Sequence, residues 1–396
     1  SAGTLQIGNG GTSGSLVGDV INDAALVFNR SDTFSFAGGV SGSGSLTQAG
    51  SGTLILTGFS DYSGGATIAA GTLQIGDGGT TGSLTGDVAN EGALVFNRTD
   101  DVTFDGTISG SGTVTQAGTG TLTLTASNSY TGGTTISAGT LSITAGANLG
   151  STAGSLTIGD GTLAVTDSVN LLHLVTLTGN AAFAPSSTAT LTIGREISGT
   201  GSLTMSGDGT LVLSAENTYE GGTTVAAGTL SISADANLGD GEGDLTLNGA
   251  TLATTATFAS ARGVTLAGGG TVSTDTATTL TLSGVLTGED GLTKAGAGTL
   301  ILSGTNTYTG GTVVSAGTLS VSADANLGNA SGDLTLANAT LGTTATFASA
   351  RGVTLASGGT FDTATGTTLT LSGAIAGTGG LTKAGAGTLI LSGSND

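Results

Sequence analysis

The chain has 396 residues, 75 of them Gly, and carries a formal net charge of -20 although only 9% of its residues are charged. Its seven basic residues are scattered, which excludes nucleic acid and anionic membrane surfaces as partners, and the lack of cysteine excludes disulfides and thiol chemistry. No apolar run approaches the roughly 20 residues of a membrane span.

In chain order, the segments read as short strands. Thr4-Leu5-Gln6-Ile7 alternates apolar with polar, and Thr53-Leu54-Ile55-Leu56-Thr57 and Thr72-Leu73-Gln74-Ile75 do the same, which puts Leu54 with Leu56 and Leu73 with Ile75 on one side. The parity returns at Leu122 with Leu124, Leu211 with Leu213, Leu300 with Leu302 and Leu389 with Leu391. Outward positions are mostly Thr and Ser, which suit a solvated sheet face. Frequent Gly and abundant Thr, Val and Ile argue against helix throughout.

These strands belong to a repeated block. From Gly50 it reads GSGTLILTGFSDYSGGATIAAGTLQIG, and it returns from Gly118, Gly207 and Gly296. Tyr62, Tyr130, Tyr219 and Tyr308, all four tyrosines of the protein, occupy one position in it. Gly64-Gly65, Gly132-Gly133, Gly221-Gly222 and Gly310-Gly311 mark corners that need positive φ. Half copies stand at both ends, Ser1 to Gly8 and Gly385 to Asp396, so the chain is expected to be an excerpt of a longer array.

The block leucines are 68 residues apart from Leu54 to Leu122, then 89 apart through Leu211, Leu300 and Leu389. The difference suggests one extra coil of chain, with three turns in the short unit and four in the long one. The expected fold is a single-stranded parallel β-helix of about 18 coils of roughly 22 residues, one continuous array over 1–396 and a rod of ~85 Å. A β-sandwich would also show short alternating strands, but four in-register copies favour stacked coils.

The pattern GxGTLxLxGxNxYxGGTxxxAGTLxI, as at Gly120 to Ile143 and Gly298 to Val321, resembles the passenger-associated transport repeat of autotransporter adhesins. The Asn-x-Tyr element recurs at Asn128, Asn217 and Asn306, with Ser60 in the first copy, and GDVxNxxALVFNR segments begin at Gly18 and Gly86. The resemblance implies a right-handed β-helix on the surface of, or secreted by, a Gram-negative cell through type V secretion. It also implies translocation with the help of a C-terminal outer-membrane β-barrel, and repeats that aid secretion and folding.

Candidate chemistry is filtered by the repeat. His173, the only histidine, aligns with Arg262 and Arg351 at steps of 89, which argues for a structural corner position and against catalysis. Lys294 and Lys383 align with Met205, Gln116 and Gln48, a position expected to be exposed or half-exposed. Asp240-Gly241-Glu242-Gly243-Asp244 is the densest acidic run, but its counterpart Asn329 to Asp333 loses two of three acids, so a solvated loop is expected and not calcium. Glu216 and Glu220 become Thr305 and Thr309 one unit later. The sequons at Asn29 and Asn97 are read as chance within a repeated segment.

No catalytic, cofactor or metal residue is assigned. The residues singled out are the structural motif: Leu54, Leu122, Leu211, Leu300 and Leu389, the four tyrosines, and Gly65, Gly133, Gly222 and Gly311. The leading reading is a non-enzymatic adhesive stalk whose partners are a cell-surface ligand or other copies of itself. The alternative is a polysaccharide-processing enzyme on the same fold. An ice-binding rod, suggested by Thr121-Leu122-Thr123-Leu124-Thr125, is set aside because the matching outward residues vary as Ile55, Thr123, Val212 and Ile301.

Overall fold

A computed structural model describes residues 3–395. Among them the regular elements are β-strands apart from three 3-10 turns, Gly146–Leu149, Asp235–Leu238 and Asp324–Leu327. The chain divides into two compact units, 3–202 and 203–395, each a right-handed parallel β-helix, with about 19 turns in all. The strands are too short to close a barrel or sandwich on their own, so each buries its inward side chains by stacking on the coil below.

In the first unit three faces follow one another around each coil. One carries Thr4–Ile7, Ala25–Phe28, Ser45–Gln48, Ala66–Ile68, Val88–Asn90 and Ile108–Ser109. The next is a nine-stranded sheet from Thr33–Phe36 to Ile197–Ser198. The third includes Val20–Ile21 paired with Val40–Ser41, and later Val102–Phe104, Thr121–Leu124, Thr140–Ile143 and Thr162–Val165. The second unit repeats this plan, with long strands such as Leu245–Thr254 and Val264–Thr274 turning a corner and serving two faces.

The coil count behind the block differs from the sequence expectation. Leu54 pairs in register with Leu73, Leu73 with Leu94 and Leu94 with Val114, steps of 19, 21 and 20 residues. Leu122 then lies on the following face, in register with Val102 and Leu141. In the second unit Leu211 leads through Leu230, Leu252 and Val272 to Lys294, and Leu300 lies on the next face. Leu300 likewise leads through Leu319, Leu341 and Phe361 to Lys383 before Leu389 takes the third face. The 68-residue step is therefore three turns and one face, and the second unit's 89-residue steps are four turns and one face. A turn is shorter than 22 residues on average because corners use only a few residues each.

That rotation also corrects the argument about outward rows. Ile55 and Thr123 stand on different faces of the first unit, and Val212 and Ile301 on different faces of the second, so they never formed a column. The true columns are Ile55, Gln74 and Val95 followed by a hydroxyl run of Thr115, Thr135, Thr157, Thr176 and Ser198 in the first unit, and Thr204, Thr224, Thr246, Thr265 and Thr287 in the second. The second column is one hydroxyl wide, since the residues two positions earlier are Ser202, Gly222, Asp244, Gly263 and Val285.

Leu54, Leu122, Leu211 and Leu300 are buried, while Leu389 in the last described coil is half-buried. Gly65, Gly133, Gly222 and Gly311 have φ of 70°, 90°, 78° and 82°. A side chain there would also approach the next coil, with Asp333 O only 2.8 Å from a Cβ at Gly311. Leu300 sits between Leu280 and Leu319 in one inward column. Replacing it with Ala removes packing above and below and is expected to cost about 2–5 kcal/mol in chemical denaturation.

Candidate functional site

Each corner interrupts the ladder and leaves main-chain carbonyls that need donors. The inward side chain ahead of the block leucine supplies them. Gln48 Nε2 donates to the carbonyls of Gly50 and Gly52 at 2.9 and 3.0 Å, and Gln116 repeats this on Gly118 and Gly120 at 2.8 and 3.0 Å. Lys294 Nζ donates to Ala295, Gly296 and Ala316 at 2.7, 2.7 and 3.2 Å. This position is interior, contrary to the exposed face expected: Lys294 and Met205 are 0% exposed. Tolerance of Lys, Met and Gln reflects three long side chains of similar reach. Lys383 makes the same contacts with Ala384 and Gly385 but is exposed in the last coil.

The arginines cap larger loops. Arg262 ion-pairs with Asp235 at 3.0 Å and donates to the carbonyls of Gly239 and Gly243 at 2.8 Å each and to that of Asp240. Arg351 does the same with Asp324 at 2.9 Å and the carbonyls of Gly328, Gly332 and Asn329. Both are buried despite their charge, because a bidentate fork satisfied at every nitrogen tolerates desolvation. Arg30 grips Thr12 and Gly14, and Arg98 grips Thr80 and Gly82, each with an Asp two residues on. With Arg195 on Leu172 O, all seven basic side chains of the protein donate to main-chain carbonyls.

His173 holds the equivalent corner in the first unit without the full set of contacts. Gly146 replaces the aspartate, and neither ring nitrogen finds a hydrogen-bond partner in good geometry although the ring is buried beside Gly150 and Ser151. Burial holds the imidazole below its ordinary pKa, with the Gly150 carbonyl opposing and Arg195 reinforcing that shift. A recess of about 260 Å³ remains, lined by Gly146, Gly150, Asn170 and Leu172 among others.

The four tyrosines are fully buried. Tyr130, Tyr219 and Tyr308 bond Thr134, Thr223 and Thr312 at 2.7, 2.6 and 2.6 Å, and burial pushes each phenol up to about 12. Tyr62 has Ala66 where the others have Thr, so its hydroxyl is left unpartnered. Asn128 joins successive coils by accepting from Ile108 N and donating to Asn148 O, and Asn306 does the same between Leu286 and Asn326.

The acidic run behaves as a loop. Asp240 accepts from the amide of Glu242, while Glu242 and Asp244 share an open recess with Glu220. Among the described residues no three carboxylate, imidazole or thiol groups converge as a metal requires. The sequence reading passed over Phe59, which is 74% exposed. Its signal was available, since the block has Ser127, Glu216 and Thr305 at that position.

Residues 46–75, 114–143, 198–232, 292–321 and 381–396 match the passenger-associated-transport-repeat family. The chain is also 42% identical over 128 residues to a protein of Brucella suis named adhesin BmaC autotransporter, a stretch that is 32% of this chain and 4% of that protein. No solved structure matches the chain.

Two outcomes test this account of the corners. The depressed pKa of Lys294, about 8 in the folded chain, means the unfolded state binds more protons between that value and the ordinary lysine range. Stability should therefore rise over roughly pH 7.5 to 9.5, a rise that Lys294→Gln removes in denaturant titrations. A Cβ at Gly146 meets nothing closer than Asn170 O at 3.5 Å, so Gly146→Asp with His173→Arg should rebuild the clamp. A double-mutant cycle should give a favourable coupling of about 0.5–3 kcal/mol. The matched stretches contain the corners held by Gln48, Gln116 and Lys294, so over those stretches this β-helical chain is similar to the passenger-associated-transport-repeat family.

Proposed function

We propose that the chain is a non-enzymatic, adhesive stalk segment of a cell-surface protein of a Gram-negative bacterium, carried out through a C-terminal outer-membrane β-barrel. The observation that carries this reading is the use of every basic side chain inside the architecture. What faces outward is hydroxyl columns and a thin acidic coat, a surface suited to many weak lateral contacts and poor in the cation that polysaccharide-cleaving sites on this fold recruit. Contact with a cell-surface ligand or with a second copy along the Thr and Ser columns follows from that surface.

The repeats serve secretion in this reading. A completed coil offers a full row of amides and carbonyls to the next segment, so folding outside the cell draws the chain forward and resists back-sliding. Leu300 and Leu302 are buried in such a coil. In the full-length protein, Leu300→Asp with Leu302→Asp is expected to stall surface display, read by antibody labelling of intact cells. Normal display of that variant would sink the ratchet. Strictly monomeric sedimentation at all concentrations would remove self-association and leave the ligand-binding stalk.

A further inference from the structure

The departures from the repeat gather at one place in the first unit. Asp19, Gly39 and Phe59 occupy successive coils in one outward column, with Gly39 N donating to Asp19 Oδ1 at 2.8 Å and Phe59 O lying over Gly39. Ile21, Ser41 and Asp61 stand beside them on the same coils, Ile21 in register with Ser41 and Asp61 N bonded to Val40 O. Large side chains on the outer two coils thus flank a middle coil that presents only Gly39 and Ser41. The spacing between the outer coils is about 10 Å, twice the strand separation.

The result is a notch of about 340 Å³ lined by Asp19, Gly39, Ser41, Phe59 and Asp61. Phe59 is 74% exposed and Ile21 81%. Such exposure of an aromatic ring has no packing role, and no basic side chain lines the notch. The second copy of the segment supplies an internal comparison: Asp87 still accepts from Thr107 N, but Thr107, Ser127, Ala89 and Ser129 replace Gly39, Phe59, Ile21 and Asp61. The corner geometry is kept while the floor, ring and second carboxylate are gone.

We propose that this notch binds a basic side chain, arginine or lysine, presented by a protein partner. The guanidinium or ammonium lies on the face of Phe59 and between the carboxylates of Asp19 and Asp61, while its aliphatic stem packs on Ile21. The chain's charge of -20 draws such a group toward the surface, and Arg98, which lines the recess on the other side of Phe59, has its guanidinium held by Asp100 and the carbonyls of Thr80 and Gly82. The inference rests on the adhesive reading for its biological meaning. Its test uses purified chain and a soluble probe, so failure of adhesion or display and failure of this site are separate results.

The probe is a tetra-arginine peptide, titrated at low salt against the whole chain by calorimetry or fluorescence anisotropy. Phe59→Ser and Asp61→Ser install the residues of the second copy, and each is expected to weaken binding roughly threefold to fivefold. Asp87→Asn removes an equal charge where no ring stands and is expected to leave binding unchanged. Circular dichroism melts establish that each variant is folded, as the exposure of all three positions leads one to expect. Equal affinity for wild type, Phe59→Ser and Asp61→Ser would overturn the proposal. So would an equal loss in Asp87→Asn, which would mark attraction by net charge alone, or preferential binding of a neutral tetrasaccharide that Phe59→Ser abolishes.

Discussion

The constraint on which the rest of this structure depends is the main-chain carbonyl at the corner. Within a face every strand is satisfied by the coils above and below, but the chain must bend three times per turn, and each bend takes carbonyls out of the ladder. Burying them without donors would cost more than a stack of small apolar residues returns. The protein meets this with long side chains aimed inward: Gln48 and Gln116 in tight corners, Lys294 in another, Arg262 and Arg351 where the loop is larger. The asparagines do the same between coils.

Seen this way, the odd composition has a single cause. A stack of short coils has little interior, filled by Leu, Ile and Val in columns with a Tyr at one corner of each block. Its few cations are consumed by corner carbonyls, and the acids have no corresponding inward role except beside Arg30, Arg98, Arg262 and Arg351. The negative net charge is the remainder. The weak points follow the same logic, since His173 and Tyr62 sit where a block lacks one partner of a pair present in its siblings, Asp235 with Arg262 in one case and Thr134 with Tyr130 in the other.

Much of the fold was legible because a strand's period of two and a repeat's long period are both visible without side-chain geometry. Leu54 with Leu56 and the positive-φ glycines such as Gly311 need only alternation and backbone sterics. The position of Lys294 was not legible. A position that holds Lys, Met or Gln from block to block looks polar and variable, and only the fold reveals that its common property is length, with the polar ends of Lys294 and Gln48 turned back onto carbonyls. The number of turns per block was hidden for a related reason: residue spacing is blind to the direction in which a side chain points, so 89 residues looked like whole turns.

The advance of one face per block has a consequence for how such a segment can diversify. In the second unit the loops held by Arg262 and Arg351 open from different faces, because their blocks begin at Leu211 and Leu300 on different faces. Loops that stacked directly would share walls, and a change in one would constrain the next. Turned away from each other, they form separate plots on the surface, each free to lengthen, shorten or acquire charge, as Asp240 to Asp244 and Asn329 to Asp333 already differ. The same offset means that a flat partner lying along one side meets only one such loop in its block, and recognition of the others requires an approach from another direction.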